Sequence, residues 1–77
     1  MRNHQITYWN VAEFDKHGQF TRFMLGASVH SKIEADMWCK KYIEDQPRVN
    51  ANRAKLGNPP LETTFRVMST KQLWHLS

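Results

Sequence analysis

Ile6-Thr7-Tyr8-Trp9-Asn10-Val11-Ala12-Glu13-Phe14, followed by Asp15-Lys16-His17-Gly18 and then Gln19-Phe20-Thr21-Arg22-Phe23-Met24-Leu25, is the stretch on which the fold turns. Its first nine residues are rich in β-branched and aromatic side chains and carry no helix-length apolar stripe, so 6–14 reads as a strand. Asp15 can hydrogen-bond its own backbone two residues on, and Gly18 tolerates the positive φ that ends a four-residue type I hairpin loop. Phe20 to Val29 follows as the partner strand. Pairing Phe14 with Gln19 sets Ala12 opposite Thr21, Asn10 opposite Phe23, Tyr8 opposite Leu25 and Ile6 opposite Ala27, a mostly apolar face expected to be the core. The other face carries Thr7, Trp9, Val11 and Glu13 with Phe20, Arg22, Met24 and Gly26, Trp9 against Met24 and Arg22 against Val11.

Beyond the hairpin, Ser31-Lys32-Ile33-Glu34 matches a capping box and predicts a helix from Lys32. At 100° per residue Ala35, Trp38, Cys39, Tyr42 and Ile43 share one arc wide enough to lie on a sheet, with Asp36, Lys40, Lys41 and Glu44 opposite. Ile33 and Met37 fall on the charged side. Pro47 lacks an amide hydrogen and is expected to stop or restart the helix, and Gly57-Asn58-Pro59-Pro60 breaks the chain again. Residues 47–56 therefore read as a short second helix or as an exposed loop, the helix being favoured. Alternation resumes from Thr63 to Ser69 as a third strand, with Thr63, Phe65, Val67 and Ser69 on one side and Thr64, Arg66 and Met68 on the other. The tail 73–77 reads as a fourth strand or a last helical turn. The expected fold is α+β: one small domain with an antiparallel sheet of three to four strands and one main helix on one face, ββαβ or ββαββ.

Composition sets the limits around this plan. The chain has 77 residues, room for one thin two-layer core and no second lobe. Eleven Lys and Arg against seven Asp and Glu give a net charge of +4, which favours an acidic partner. A single cysteine, Cys39, excludes an intramolecular disulfide and points to a reducing, cytoplasmic setting. The opening Met1-Arg2-Asn3-His4-Gln5 lacks the apolar run of a signal peptide, and Phe23-Met24-Leu25 is far too short to span a bilayer.

Chemistry-bearing constellations are scarce. His4, His17, His30, Cys39 and His75 contain no pair at two to five residues, so neither a metal site nor a cofactor is expected. Cys39 lies on the core arc, where a thiol acts as a small hydrophobe. The carboxylates are used for turn, cap and helix surface, and no glycine-rich phosphate loop appears, so no catalytic residue is assigned. Three surfaces remain. The second sheet face presents Trp9, Arg22 and Met24, continuing into Arg66 and Met68, and suits a protein hot spot, stacked bases or a homodimer. Ile33 and Met37 flanked by Lys40 and Lys41 resemble a small apolar contact with a charged rim. Arg48, Arg53 and Lys55 form an acid-free basic stretch able to meet phosphates or an acidic protein.

The order of a strand at 6–14, a turn at Asp15 to Gly18, a strand at 20–29, a capped helix from Lys32 and a strand at 63–69 resembles the small ββαβ proteins that bacteriophages encode to bind and block host machinery. Anti-CRISPR proteins and phage inhibitors of host RNA polymerase include members of that build. The resemblance is one of size and element order, and no functional residue is carried over from it. It implies a phage or mobile-element accessory protein in the host cytoplasm that inhibits a host protein or defence complex by covering an acidic functional surface. A small basic nucleic-acid-binding module is the alternative.

Overall fold

Asp15 shapes the hairpin as its residue type suggests. Its Oδ1 accepts from the amides of His17 at 2.8 Å and Gln19 at 2.9 Å, and Gly18 takes φ +80°. The Asp15 amide donates to the Gln19 carbonyl at 2.9 Å, so the loop is Lys16 to Gly18, three residues with a left-handed glycine last. The computed structural model describes residues 7–69. Its strands are β1 (Trp9–Phe14), β2 (Phe20–Phe23) and β3 (Thr64–Ser69), and its helix is α1 (Lys32–Lys55). The sheet order is β2-β1-β3, antiparallel throughout, which makes the protein α+β with the expected ββαβ order. Ile6 and the fourth strand considered for 73–77 lie outside the described residues.

The hairpin register differs from the expected one. Phe14 pairs with Phe20, Glu13 with Arg22 and Ala12 with Phe23, the pairing shifting between Glu13 and Phe14. Thr21 is the extra residue, and its hydroxyl donates to the Glu13 carbonyl and to Glu13 Oε1. The shorter loop and this bulge each move the register by one. Ala12 and Phe23 keep a common face as expected, but Phe20 crosses to it, its ring 6.1 Å from Phe14 and 4.6 Å from Phe23.

The second strand also ends earlier than Val29. After Met24, whose amide donates to Val11 O at 2.8 Å, the chain leaves the ladder and rejoins it at Val29, which exchanges two backbone hydrogen bonds with Trp9. Asn10 explains the gap. Its Oδ1 accepts from the Leu25 amide and from Val11 N, while Nδ2 donates to the Leu25 carbonyl and Ser28 Oγ. One buried side chain thus does for Leu25 what a neighbouring strand would have done.

The helix covers the face opposite to the one expected. Tyr42 stacks on Phe65 at 5.7 Å, and Phe65 pairs with Glu13, so α1 lies over Trp9, Val11, Glu13, Phe65 and Val67. Val11, Ala12 and Ala35 are fully buried. Ser31 caps the helix, its Oγ accepting from the Glu34 amide at 3.3 Å. At the far end Gly57, at φ +78°, donates to Ala54 O and Asn58 donates to Arg53 O, a Schellman closure.

Pro47 does not break α1, and 47–56 is not a second helix: one helix of 24 residues runs through. The carbonyl that Pro47 leaves without a donor belongs to Ile43, and that residue is 51% exposed, within reach of water. Past the proline, Gln46 Nε2 donates to Leu61 O, Thr63 O and Thr63 Oγ1. Asn50 exchanges two hydrogen bonds with the Leu61 backbone, and Arg53 Nε donates to Pro59 O at 2.8 Å. These side chains, spaced four and three apart, tie the return segment 59–63 along one side of the helix.

Candidate functional site

The residues of the expected sheet patch do not come together. Trp9 is half-buried on the helix-covered side, with the Lys32 ammonium 5.9 Å from its ring. Arg22 stands opposite Glu13 rather than Val11 and pairs with its carboxylate at 3.3 Å. Met24 lies beyond β2, its amide on Val11 O, and Trp9 faces Val29 instead of Met24. Arg66 pairs with Ala12 and so points to the opposite side of the sheet, its guanidinium 5.5 Å from the Phe14 ring.

On α1 the reverse happens, and residues expected on separate pieces join. Ile33 and Met37, one turn apart, are 74% and 68% exposed on the side away from the sheet. Lys40 and Lys41 are exposed beside them, Lys41 Nζ lying 5.3 Å from the Trp38 ring. Because the helix continues past Pro47, Arg48 and Lys55 follow Lys41 at intervals of seven residues on that same side. From Ile33 to Lys55 the surface is about 33 Å long. Arg48 lies 3.7 Å from Asp45 and is otherwise open to solvent. Arg53 leaves the basic trio, its guanidinium being turned to Pro59. Asp36, on the charged side of the helix, pairs with Lys32 at 3.3 Å.

Two features escaped the sequence reading. Phe14, Phe20 and Phe23 form an aromatic row on the sheet face away from α1, with Phe23 37% exposed. The three-residue loop sets Phe20 opposite Phe14 and the Thr21 bulge keeps Phe23 on that face, and alternation signals neither. The other feature is a groove of about 500 Å³ between α1 and β3, lined by Cys39, Lys40, Ile43, Phe65, Arg66 and Val67 together with Asp36. A second hollow of about 510 Å³ lies between the hairpin turn and the return segment. Its Asp15 carboxylate and Arg53 guanidinium are already engaged by backbone groups.

Little in these surfaces is chemically activated. Burial pushes the Cys39 thiol above its ordinary value, and the nearby Asp36 charge adds to the shift. The sulfur is therefore protonated and poorly nucleophilic at neutral pH. Among the described residues no group of three His, Cys, Asp or Glu is placed to hold a metal ion, and no helix is long and apolar enough to cross a membrane. Comparison with protein-family models, with curated proteins and with solved structures finds no match.

Proposed function

We propose that the chain is a non-enzymatic protein-binding module that covers an acidic surface of its partner with the outer side of α1, in the manner of the small phage inhibitors whose element order it shares. The observation that carries this reading is the exposure of Ile33 and Met37, 74% and 68%, on a helix whose opposite side is already packed. Two large apolar side chains one turn apart supply anchors that shed water on contact. Lys40, Lys41, Arg48 and Lys55 supply a basic rim that steers an acidic partner and fixes orientation. Inhibition then follows from occlusion, one protein for one site, with no bond made or broken.

The test is affinity capture from bacterial lysate with the wild type and with the Ile33→Asp/Met37→Asp double variant, after nuclease treatment. Each captured protein is purified and its affinity remeasured by calorimetry. Both positions are solvent-facing, so the variant is expected to keep its circular dichroism spectrum. We expect one partner to be lost from the variant, with affinity falling at least about a hundredfold, or ~2.7 kcal/mol. Unchanged affinity in a folded double variant overturns the reading. So does retention that disappears with the nuclease and falls steeply as salt rises, the signature of a nucleic-acid-binding module.

A further inference from the structure

We propose that the outer edge of β3, with the groove beside α1, accepts an extended acidic segment of a partner protein as an added strand. The direction of the backbone groups is the starting point. Trp9 exchanges hydrogen bonds with Val29, Val11 O accepts from Met24, and the Asp15 amide donates to Gln19, so odd-numbered residues of β1 point toward the β2 side. Asn10, Ala12 and Phe14 consequently bond to their partners Met68, Arg66 and Thr64. The alternate residues of β3, Phe65 and Val67, direct their N–H and C=O groups outward. No strand among the described residues pairs with that edge, since β3 is last in the sheet order. The β1 to β3 pairing runs through six residue pairs without a bulge, so the edge is regular and, among the described residues, open.

The groove gives such a strand somewhere to put its side chains. On the helix side it offers Ile43, which is 51% exposed, with Cys39, Phe65 and Val67 half-buried around it. This accommodates apolar side chains at alternate positions of the incoming strand. On the opposite side of the sheet the added strand lies beside Arg66.

Charge decides the occupant. Among the described residues the ion pairs are Arg22 with Glu13, Lys32 with Asp36 and Arg48 with Asp45. Among the described residues neither Lys40, at the rim of the groove, nor Arg66, on the opposite side of the sheet, has a carboxylate partner, while the groove's one acid, Asp36, is held by Lys32. A segment alternating acidic and apolar residues meets both requirements. A second copy of this chain meets them less well, because edge-to-edge pairing brings two Arg66 side chains and two net charges of +4 together.

This surface is separate from Ile33 and Met37, and the experiment keeps the two apart. The probe is an acetylated and amidated Ser-Glu-Val-Glu-Val-Glu-Ser peptide, titrated into the ¹⁵N-labelled full chain, with the Lys-for-Glu peptide as its counterpart. We expect the Phe65 and Val67 amides to shift and to gain protection from exchange. Arg66→Glu, an exposed change that leaves the helix packing untouched, is expected to weaken the acidic peptide at least about tenfold and to strengthen the lysine peptide. Ile33→Asp/Met37→Asp is expected to bind the acidic peptide as the wild type does. The proposal is overturned if millimolar acidic peptide leaves both amides unmoved, or if Arg66→Glu binds it unchanged. Two further results overturn it: an oligothymidylate that moves the same amides at lower concentration, and a dimer in sedimentation that dissociates in Val67→Pro, which lacks the outward donor. Failure of the peptide while Ile33→Asp/Met37→Asp still loses its partner removes this proposal alone.

Discussion

Between Lys32 and Asp45, α1 rests on the sheet through apolar contact: Ala35 is fully buried and Tyr42 stacks on Phe65. Between Gln46 and Lys55 the same helix rests on residues 59–63 through hydrogen bonds from Gln46, Asn50 and Arg53 to backbone groups. The strands are six residues at most while the helix has 24, so the sheet cannot reach the far half. A polar underside is what lets a helix overhang its sheet in water. Among the described residues nothing is packed on the outer side, where Ile33, Met37, Lys40, Lys41, Arg48 and Lys55 are all exposed.

The sharpest way to break this contrast is at its apolar end. Tyr42→Ala removes the ring that joins Trp38 to Phe65 and is expected to cost about 3 kcal/mol in urea denaturation. The loss is expected to be global, lowering exchange protection in β1 and β3 alike. Gln46→Ala strips three acceptors of one donor group, and the smaller cost of about 1.5 kcal/mol is expected to be local. Exchange of the Leu61 amide rises while the β1 amides stay protected. Equal loss at both places in Gln46→Ala would show that the overhang folds as one unit with the sheet.

The same division explains what was legible. Ser31, Gly18, Gly57 and the alternation from Thr64 to Ser69 act locally, so element type and order follow from residue type. The two errors of extent share a cause. Strand 20–29 is interrupted because Asn10 binds Leu25 from fifteen positions away, and 47–56 joins α1 because Gln46, Asn50 and Arg53 hold the return segment. Amide side chains that substitute for a backbone ladder look, in sequence, like any surface polar residue. The candidate surfaces suffered accordingly. Trp9 meets Met24 and Val11 meets Arg22 only in a hairpin register that the shorter loop and the Thr21 bulge both shift, and Arg66 is placed by its pairing with Ala12, whereas Ile33, Met37, Lys40 and Lys41 depend only on the helical repeat.

Pro47 lies at the junction of the two halves and gives a smaller effect of opposite sign. Its exposed position and the exposed Ile43 carbonyl segment mean that Pro47→Ala adds one helical hydrogen bond without disturbing a packed contact. The proline also restrains the unfolded chain, which offsets part of the gain. A net stabilisation of about 1 kcal/mol is expected, seen as a rise in melting temperature. A fall would mean that the junction needs the proline's fixed φ to aim Gln46 at Thr63.

The smallest effect distinguishes polar ties by whether they titrate. Under the far half of α1 the tying groups are amides and a guanidinium, with no proton to gain on acidification. At the hairpin tip the tie is a carboxylate. The Gln19 amide, and next the His17 amide, hold the Asp15 carboxyl below its ordinary value. A lowered carboxyl stabilises the turn above its unfolded pKa and loses that contribution as pH falls through the folded one. Acid titration followed by amide shifts is therefore expected to move His17 and Gln19 at low pH while Leu61, donating to Asn50 Oδ1, stays put. In Asp15→Asn the low-pH movement of His17 and Gln19 is expected to vanish. If it persists, the Asp15 carboxylate does not govern the turn.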